Sequence, residues 1–287
     1  MQAVSGQYIT SCPVGCGNDF KDTDIILPEG PLRRCVICGQ LVSQCSELRF
    51  HDSMKEFQDP RGTVPIDKSG ARRLDRRTRK IISGAEKILG LIPQEMCLLD
   101  VGCSSGAFLS AARRMGLKAE GVEPEPGPAK TAAESGLKVT RGFLEDANFP
   151  GESFHIITLF EVLEHLKDSL SLMRECNRVL RPGGIAIIRT GNSASWTSAY
   201  MKGRWEYFHI AKHGGHVSFF NPFSIRHLAE RSGFRIEKMT SYAVRFYEKG
   251  DVSYPIYRIT KIFSELLNTP SSLFNKGHEL LVYMKKR

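Results

Sequence analysis

"LLDVGCSSGAFL", Leu98–Leu109, is the stretch of sequence that decides the fold. Its mostly apolar beginning predicts a buried strand that runs through Asp100. Gly102 and Gly106 then allow a tight backbone turn, since glycine adopts conformations that other residues avoid. Apolar residues recur at helical spacing after the turn, so the stretch predicts a strand, a turn and a helix in succession.

The same alternation continues along the chain and predicts an α/β fold. Strands are predicted at "CLLDV", "KAEGVEP", "LKVTRG", "FHIITLF" and "GIAIIRT", with helical patterns between most of them. Strands that alternate with helices form a mostly parallel sheet that is covered by helices on both faces. Ligands bind such sheets at the carboxyl ends of the strands, which is where the glycine turn lies.

The residues around the turn favour an adenosine cofactor other than a dinucleotide. A dinucleotide-binding turn has the pattern G-x-G-x-x-G, whereas here Ser104 occupies the third position of the pattern. Glu123 follows Gly102 by 21 residues, at the end of the second strand, where a carboxylate can accept both ribose hydroxyls. Asp100 suits a cationic ligand.

Length and composition indicate one main domain with a small accessory segment. The chain has 287 residues, of which 41% are hydrophobic, enough to form one substantial core. No segment resembles a signal peptide or approaches the roughly eighteen apolar residues that span a membrane. We therefore expect a soluble, cytoplasmic protein without a membrane partner, and its oligomeric state is not indicated.

A basic run accounts for part of the net charge of +9. It is "KSGARRLDRRTRK", residues 68–80, with seven basic residues and one acidic residue. Such a run can bind nucleic acid or another polyanion. It can also be the solvated face of an amphipathic helix, since apolar residues recur along one stripe from Leu74 to Leu89. We favour the solvated face, because a polyanion site requires a convergence of charges that this run alone does not indicate.

Four cysteines indicate a small zinc-binding knuckle near the amino terminus. They are Cys12, Cys16, Cys35 and Cys38, and each close pair has an adjacent glycine. Two pairs about twenty residues apart supply four thiolates for a tetrahedral zinc ion. Two disulfides are the alternative, which a cytoplasmic setting disfavours. Four filled positions leave none open for catalysis, so we expect the zinc ion to be structural.

Several stretches, in order, resemble the motifs of class I S-adenosylmethionine-dependent methyltransferases. They are "LLDVGCSSGAFL", "GVEP", "GFLEDANFPGESFHIITLFEVLEHL" and "LRPGG". The resemblance covers residues 80–287 and implies a Rossmann-like sheet of seven strands, whose last two strands form an antiparallel hairpin. Within the family, the chain is most similar to bacterial enzymes that join a cysteine-rich zinc knuckle to this domain and methylate sugars, glycans or other small metabolites.

The resemblance also implies a binding site for S-adenosylmethionine. The implied cofactor residues are Asp100, Gly102, Gly106, Glu123, Glu145 and Phe160. The first three would hold the methionine and ribose parts, Glu123 the ribose diol, and Glu145 or the backbone at residues 143 and 144 the adenine. Ser104 departs from a frequent glycine and His155 from a frequent aspartate, but neither change removes a group that the cofactor needs.

Methyl transfer from a sulfonium requires alignment of the reacting atoms, and a base where the nucleophile keeps its proton. Two segments supply candidates: Glu161 and His165 in "EVLEHL", and His213 and His216 in "KHGGHVSFF". The alternative is that Glu164 and His165 cap the following helix and that the two later histidines are hydrogen-bond partners in a loop over the substrate.

A second metal ion is a less favoured hypothesis. Glu161, Glu164, His165 and His216 together resemble the two-glutamate, two-histidine metal site of small-RNA 2'-O-methyltransferases. The same motifs also resemble those of the glycan and metabolite group, where no such metal ion is implied.

Two insertions are expected around the acceptor pocket. Residues 191–221 contain a dense set of aromatic residues, namely Trp196, Tyr200, Trp205, Tyr207, Phe208, Phe219 and Phe220. Because so many rings are hard to bury in an irregular loop, we expect some of them to line the pocket. Residues 254–274 have apolar residues at helical spacing and predict a helix at the pocket mouth.

The sequence thus predicts a zinc-ribbon-like knuckle over residues 1–48, a linker with the start of the basic helix over 49–79, and a methyltransferase domain over 80–287. The resemblance implies methyl transfer to oxygen of a small-molecule or saccharide acceptor. An RNA methyltransferase, with phosphates bound by the knuckle and the basic run, is the alternative enzyme. A binding module that has kept the fold and lost catalysis is the alternative of another class, and the intact cofactor residues argue against it.

Overall fold

A central sheet of seven strands forms the middle layer of the protein. The computed structural model describes residues 6–56, 68–247 and 250–287, and only the backbone of residues 56, 68, 69 and 213. The strands are β4 (Cys97–Val101), β5 (Lys118–Glu123), β6 (Val139–Arg141), β7 (Phe154–Phe160), β8 (Leu180–Gly191), β10 (Phe234–Tyr242) and β11 (Glu279–Lys286). Their order is β10-β11-β8-β7-β4-β5-β6. Only β11 runs antiparallel to its neighbours β8 and β10 among these strands, which confirms the predicted Rossmann-like sheet.

Helices cover both faces of this sheet. They are α1 (Glu47–Glu56), α2 (Lys68–Leu89), α3 (Ala107–Arg114), α4 (Pro126–Glu134), α5 (Ser169–Val179), α6 (Trp196–Met201), α7 (Ile210–His213), α8 (Pro222–Arg231) and α9 (Tyr254–Leu273). Leu98 packs in one core with residues of α2, α3 and α4, and its neighbour Leu99 packs in the other core with α5 and α8. The central strands are continuous apolar runs because both of their faces are buried. No helix in the described ranges has both the length and the apolar character needed to cross a membrane.

A second, smaller sheet contains the cysteine-rich segment. Its strands are β1 (Phe20–Leu27), β2 (Gly30–Cys35), β3 (Leu41–Val42) and β9 (Ser218–Phe219), in that order. Leu41 pairs with Phe219, and the Gln40 side-chain amide donates to the Ser218 hydroxyl at 2.9 Å. A strand from the carboxyl-terminal part of the chain therefore completes the sheet of the amino-terminal segment.

The turn that contains the first two cysteines packs against α5 and α8. The Leu170 amide donates to the Pro13 carbonyl at 3.1 Å, and the Arg231 guanidinium donates to the Gly15 carbonyl at 3.0 Å. Gly15 has a φ of +78°, and a Cβ at this position would lie 2.5 Å from the Leu170 side chain. Glycine is required here by the backbone conformation and by the close approach to α5.

Four of the seven aromatic residues noted between positions 196 and 220 are buried, and the expectation that some of the seven line the pocket stays a prediction. Trp205, Phe208 and Phe219 are fully or almost fully buried together with Leu27, Leu32, Leu41 and Met201, and Phe220 lies in the main core. Trp205, Phe208 and Phe219 are buried because the small sheet provides an apolar face that the loop alone does not have. Tyr207 and Trp196 are half-buried and Tyr200 is exposed.

Helix α2 contains the basic run, as an amphipathic helix. Ile81, Ile82 and Ala85 are buried, whereas the arginines of residues 72–79 are exposed. One of these arginines, Arg77, lies 3.9 Å from Glu279. This arrangement favours the solvated helix face. The predicted linker over residues 49–79 includes residues 57–67, which lie outside the described part of the chain.

The helix predicted over residues 254–274 is present as α9. It packs on the edge strand β10, where the Ser241 hydroxyl donates to the Ser271 carbonyl at 3.1 Å. Its position at the pocket mouth stays a prediction.

Phe219→Ala should lower the free energy of unfolding by about 3–5 kcal/mol, because it removes a fully buried ring from the core that the small sheet shares with residues 201–208. Urea unfolding followed by circular dichroism measures the change. Phe223→Ala is the matched control, since this ring is 54% exposed and its loss should cost under about 1 kcal/mol. Equal losses in the two variants would contradict the shared core.

Candidate active site

The glycine turn follows β4 in the chain and is hydrogen-bonded to the carboxyl end of β5. The amides of Gly102 and Cys103 donate to the Val122 carbonyl at 2.9 and 3.2 Å. Gly102 has a φ of +70°, and a Cβ there would lie 2.7 Å from a methyl group of Val162. Gly106 has a φ of +80° at the start of α3. The turn therefore needs glycine at both positions, and its backbone lies at the carboxyl edge of the sheet.

Glu123 lies at the end of β5 and faces this turn. Its carboxylate accepts hydrogen bonds from the Ser104 amide at 2.8 Å and from the Glu125 amide at 2.9 Å. The side chain is almost completely buried, and burial raises its pKa. Ser104 has a φ of +49°, which explains why glycine is frequent at its position and shows that serine adopts the same turn. The departure at Ser104 thus leaves the carboxylate in place.

Asp100 is buried beside the turn, one residue before the end of β4. Its Oδ1 accepts a hydrogen bond from the Thr158 hydroxyl of β7 at 2.6 Å. Burial raises the pKa of Asp100 to about 7, although the bond from Thr158 opposes that shift. A cationic group that bound next to this carboxyl would favour its ionised form.

Phe160 and Glu145 lie at different depths in the fold. The Phe160 ring packs edge-on to Phe108, with 4.8 Å between ring centroids, and the Arg189 guanidinium lies 4.8 Å from the Phe160 ring centroid. Glu145 is exposed, in the segment after β6. The same segment is connected to Glu123, whose carbonyl accepts from the Gly142 amide at 3.1 Å. The cofactor roles of both residues stay predictions.

Glu161 follows β7 directly, in a strained conformation. Its φ is +58°, which is uncommon for a residue other than glycine and is concentrated at functional sites. The Glu161 amide donates to the Arg189 carbonyl at 2.9 Å, and the Arg189 Nε donates to the Glu161 carboxylate at 3.2 Å. Two contacts with Arg189 therefore hold this carboxylate at the carboxyl edge of the sheet.

Glu164 is completely buried a few residues further on. It accepts hydrogen bonds from the Tyr207 hydroxyl at 2.5 Å and the Thr190 hydroxyl at 3.1 Å. Burial and the neighbouring Glu161 raise the pKa of Glu164 well above its usual range. The Tyr207 hydroxyl also accepts from the Gly191 amide at 2.7 Å, which fixes its orientation.

His216 and His165 complete this polar cluster. His216 is buried, its Nδ1 donates to the Tyr207 carbonyl at 3.0 Å, and its Nε2 lies 4.0 Å from the Glu164 carboxyl. The His165 ring is half-buried and packs edge-on to the His216 ring, with 4.8 Å between centroids. Three predicted residues, Glu161, His165 and His216, thus lie around Glu164. The side chain of His213, the fourth, lies outside the described part of the structure.

The second metal site suggested by the glutamates and histidines is not formed. Among the described residues, the cysteine cluster is the one group of three or more ligand atoms that lie within 4.8 Å of one another. The Glu164 carboxyl instead accepts hydrogen bonds from the Tyr207 and Thr190 hydroxyls. The Tyr207 ring also packs against His216, with 4.4 Å between ring centroids.

Sequence analysis missed the contributions of Arg189, Thr190 and Thr158. Arg189 and Thr190 lie at the end of β8, and Thr158 lies within β7. A signal was present, because a charged and a hydroxyl residue end the otherwise apolar run "GIAIIRT" at the carboxyl edge of a predicted parallel sheet. Tyr207 was noticed as an aromatic residue only, and nothing in its sequence context indicates that its hydroxyl reaches Glu164.

The four predicted zinc ligands come together. The sulfur atoms of Cys12, Cys16, Cys35 and Cys38 all lie within 4.8 Å of one another, and none of these cysteines is in a disulfide. A hydrogen bond from the Cys38 thiol at 3.6 Å lowers the pKa of Cys12 to about 6, which favours a thiolate. Four sulfur donors in a closed cluster fit a structural zinc ion and leave no position for a substrate.

Comparison with known proteins decides the family. A family profile described as "Methyltransferase domain" matches residues 72–239, more than half of the chain. The chain belongs to this methyltransferase family. S-adenosylmethionine is the methyl donor of this family, and the chain is accordingly an S-adenosylmethionine-dependent methyltransferase. The interpretation as an inactive binding module is thereby disfavoured.

Two relatives illustrate the similarity in sequence. A ubiquinone biosynthesis O-methyltransferase from Cereibacter sphaeroides is 29% identical over 198 residues, which cover 64% of this chain and 80% of the relative. The protein of the same name from Actinobacillus pleuropneumoniae serotype 7 is 27% identical over 234 residues, which cover 74% of this chain and 95% of the relative.

Solved structures confirm the fold of this methyltransferase. A SAM-dependent methyltransferase from Archaeoglobus fulgidus aligns with a TM-score of 0.53 at 18% identity, covering 75% of this chain and 94% of that one. An S-adenosylmethionine-dependent methyltransferase from Mesorhizobium loti gives a TM-score of 0.51 at 18% identity, covering 71% and 96%. At this identity the likeness establishes the shared fold alone.

Cys35→Ser should release zinc from the purified methyltransferase, because it removes one of four sulfur donors. Metal analysis measures the loss, and near-ultraviolet circular dichroism should weaken, since Trp205 packs in the core that the small sheet shares. Cys97→Ser is the control, because Cys97 lies outside the cluster. Full zinc content in Cys35→Ser, or an equal loss in Cys97→Ser, would remove the cluster as the zinc site.

Proposed function

We propose that this methyltransferase transfers a methyl group to a hydroxyl oxygen of a small-molecule acceptor. The single observation that supports this most is the clustering of a glycine turn, two buried carboxyls and the polar groups around Glu164 at one edge of the sheet. The two relatives named as O-methyltransferases favour oxygen as the methylated atom. A saccharide acceptor is the finer prediction within this class.

The residues of the turn suit S-adenosylmethionine, which supplies an electrophilic methyl group on a positively charged sulfur. Glu123 offers carboxylate oxygens to the ribose hydroxyls, and the glycines allow the ligand to approach the backbone. Asp100 offers a buried carboxylate to the ammonium group of the methionine part. Phe160 and Glu145 complete the proposed site.

The polar cluster suits an acceptor hydroxyl that must lose a proton. Glu164 is fully buried and accepts hydrogen bonds from the Tyr207 and Thr190 hydroxyls, so we assign it the role of holding these two residues in place. We assign proton acceptance to His165, whose ring is half-buried and whose imidazole nitrogen can take up a proton. Glu161, fixed by Arg189, orients the hydroxyl. His216 positions His165 through its ring contact.

Glu123→Gln should weaken S-adenosylmethionine binding about ten- to hundred-fold, because the ribose hydroxyls lose a charged acceptor. Calorimetry measures the dissociation constant, and circular dichroism checks the fold. Glu125→Gln is the matched control, since this side chain is exposed and only its amide contacts Glu123.

Unchanged affinity in Glu123→Gln would remove Glu123 from the cofactor site. An absence of binding by the unaltered protein would overturn the proposed site as a whole. Incubation of the active protein with methyl-labelled cofactor and small-molecule extracts, followed by mass analysis, then identifies the acceptor and the methylated atom.

Cofactor affinity should rise with pH as Asp100 ionises. The free protein has a pKa of about 7 at this carboxyl, so the neutral form dominates below pH 7 and the carboxylate above it. Because the ammonium group prefers the carboxylate, the dissociation constant should fall by up to about tenfold per pH unit below pH 7 and then level off. In Asp100→Asn this part of the pH dependence should be absent. The same pH profile in both proteins would contradict the role of Asp100.

A further inference from the structure

A cavity of about 530 Å³ lies between the small sheet and the loop that follows β8. Residues of β1, β2 and β3 line one side of it, and the other side consists of residues 193–202, the start of α8 and Lys276. None of its lining residues belongs to the proposed cofactor site or to the polar cluster around Glu164. Small-molecule sites have volumes in this range, so the cavity is a candidate for a second binding site.

Basic side chains outnumber acidic ones around this cavity. They are Arg34, Lys202 and Lys276. Among the described lining residues Asp24 is the one carboxylate, and it accepts from the Lys202 ammonium at 2.8 Å. The Lys276 ammonium donates to the Ala194 carbonyl at 3.1 Å, which keeps its charge beside another lining residue. Cys38 also borders the cavity, but it is completely buried and its sulfur lies in the cysteine cluster. The exchangeable charges of the lining therefore favour an anion.

Ser198 of α6 supplies a hydroxyl to the same cavity. This residue is 2% exposed, and its amide donates to the Ser195 hydroxyl at 3.0 Å. Its own hydroxyl makes no hydrogen bond to the residues that the structure describes, although buried hydroxyls are normally bonded. The hydroxyl is thus available to donate to an anion in the cavity.

Lys202 is held at the cavity in a strained backbone conformation. Its φ of +49° and ψ of −130° favour glycine, yet a lysine occupies the position. Strain of this kind persists where the surroundings fix it, and it is concentrated at sites that bind ligands. The hydrogen bond from Lys202, together with the charge of Arg34, lowers the pKa of Asp24, so all three side chains interact at this border of the cavity.

We propose that this cavity binds a small molecule with a phosphate group. A phosphate monoester carries nearly two negative charges and three acceptor oxygens, which match several cations and a hydroxyl better than a carboxylate does. The apolar lining residues Ile25, Leu41 and Phe223 suit the organic part of such a molecule. The proposal is independent of the proposed methyl acceptor.

Calorimetry with phenyl phosphate tests the proposal on the full chain with its metal content intact. Ionic strength is kept constant, because salt screens exposed charges. The unaltered protein should bind this probe, and Lys276→Gln should weaken binding about tenfold, since a charge-assisted hydrogen bond is lost. Lys130→Gln is the matched control, because it removes the same charge from an exposed position of α4 outside the cavity. No binding by the unaltered protein, or equal losses in the two variants, overturns the proposal.

A second variant separates binding from folding, because Lys276 also holds Ala194. Ser198→Ala should leave the midpoint of urea unfolding unchanged, since the hydroxyl has no partner among the described residues, but should weaken phenyl phosphate binding about three- to tenfold. Unchanged affinity in this variant overturns the assigned contact.

Benzoate tests the chemical class of the ligand. It presents a similar ring with a carboxylate in place of the phosphate, and it should bind about tenfold more weakly than phenyl phosphate. Equal binding of the two probes overturns the preference for phosphate. None of these measurements requires methyl transfer or its cofactor, so their failure would leave the proposed function intact.

Discussion

In-register parallel pairing of β4, β7 and β8 brings the side chains of the site together. Asp100 pairs with Thr158, which donates to its carboxylate, and Phe160 pairs with Arg189. The chain leaves β7 directly after this point, so Glu161 meets the Arg189 guanidinium. Since neighbouring residues of a strand face opposite sides of a sheet, a slip of one residue would turn Asp100 away from Thr158. These polar side chains therefore meet at the carboxyl edge of the sheet only while this register is kept.

The cysteine cluster is connected to the same edge through backbone hydrogen bonds. The Ser43 amide, just after β3, donates to the Val217 carbonyl at 2.8 Å, and the Val217 amide donates to the Glu164 carbonyl at 2.9 Å. A sheet as small as that of the amino-terminal segment has little stability of its own. The shared core adds stability to this sheet, and the sheet in turn packs against the segment between Trp205 and Phe219. The sheet that carries the cysteine cluster thus supports the segment that contains Tyr207 and His216.

The parts of the fold and site that sequence analysis predicted are those set by local spacing. Gly102, Gly106 and Glu123 are linked by a short strand-turn-helix pattern, and the four cysteines by two turns, so their neighbours in sequence determine their geometry. Tyr207 and Arg189 could not be assigned in this way, because their partners are 28 to 43 residues distant in the chain. The burial of Trp205 could not be predicted for the same reason, since the apolar surface that covers it comes from β1 to β3. Helix α9 was predicted from its apolar spacing, but that spacing does not reveal which side faces outward.

Buried carboxyls at the glycine turn favour a cationic ligand. Burial raises the pKa of both Asp100 and Glu123, so ionisation of these groups is opposed in the free protein. A raised carboxyl pKa means that the folded state binds protons more readily than the unfolded state. For Asp100, stability is therefore lost as the pH rises from about 4 to about 7. A sulfonium with an ammonium group offsets that loss, whereas a pyrophosphate would add to it. The electrostatics of the turn thus disfavour a dinucleotide independently of the serine at position 104.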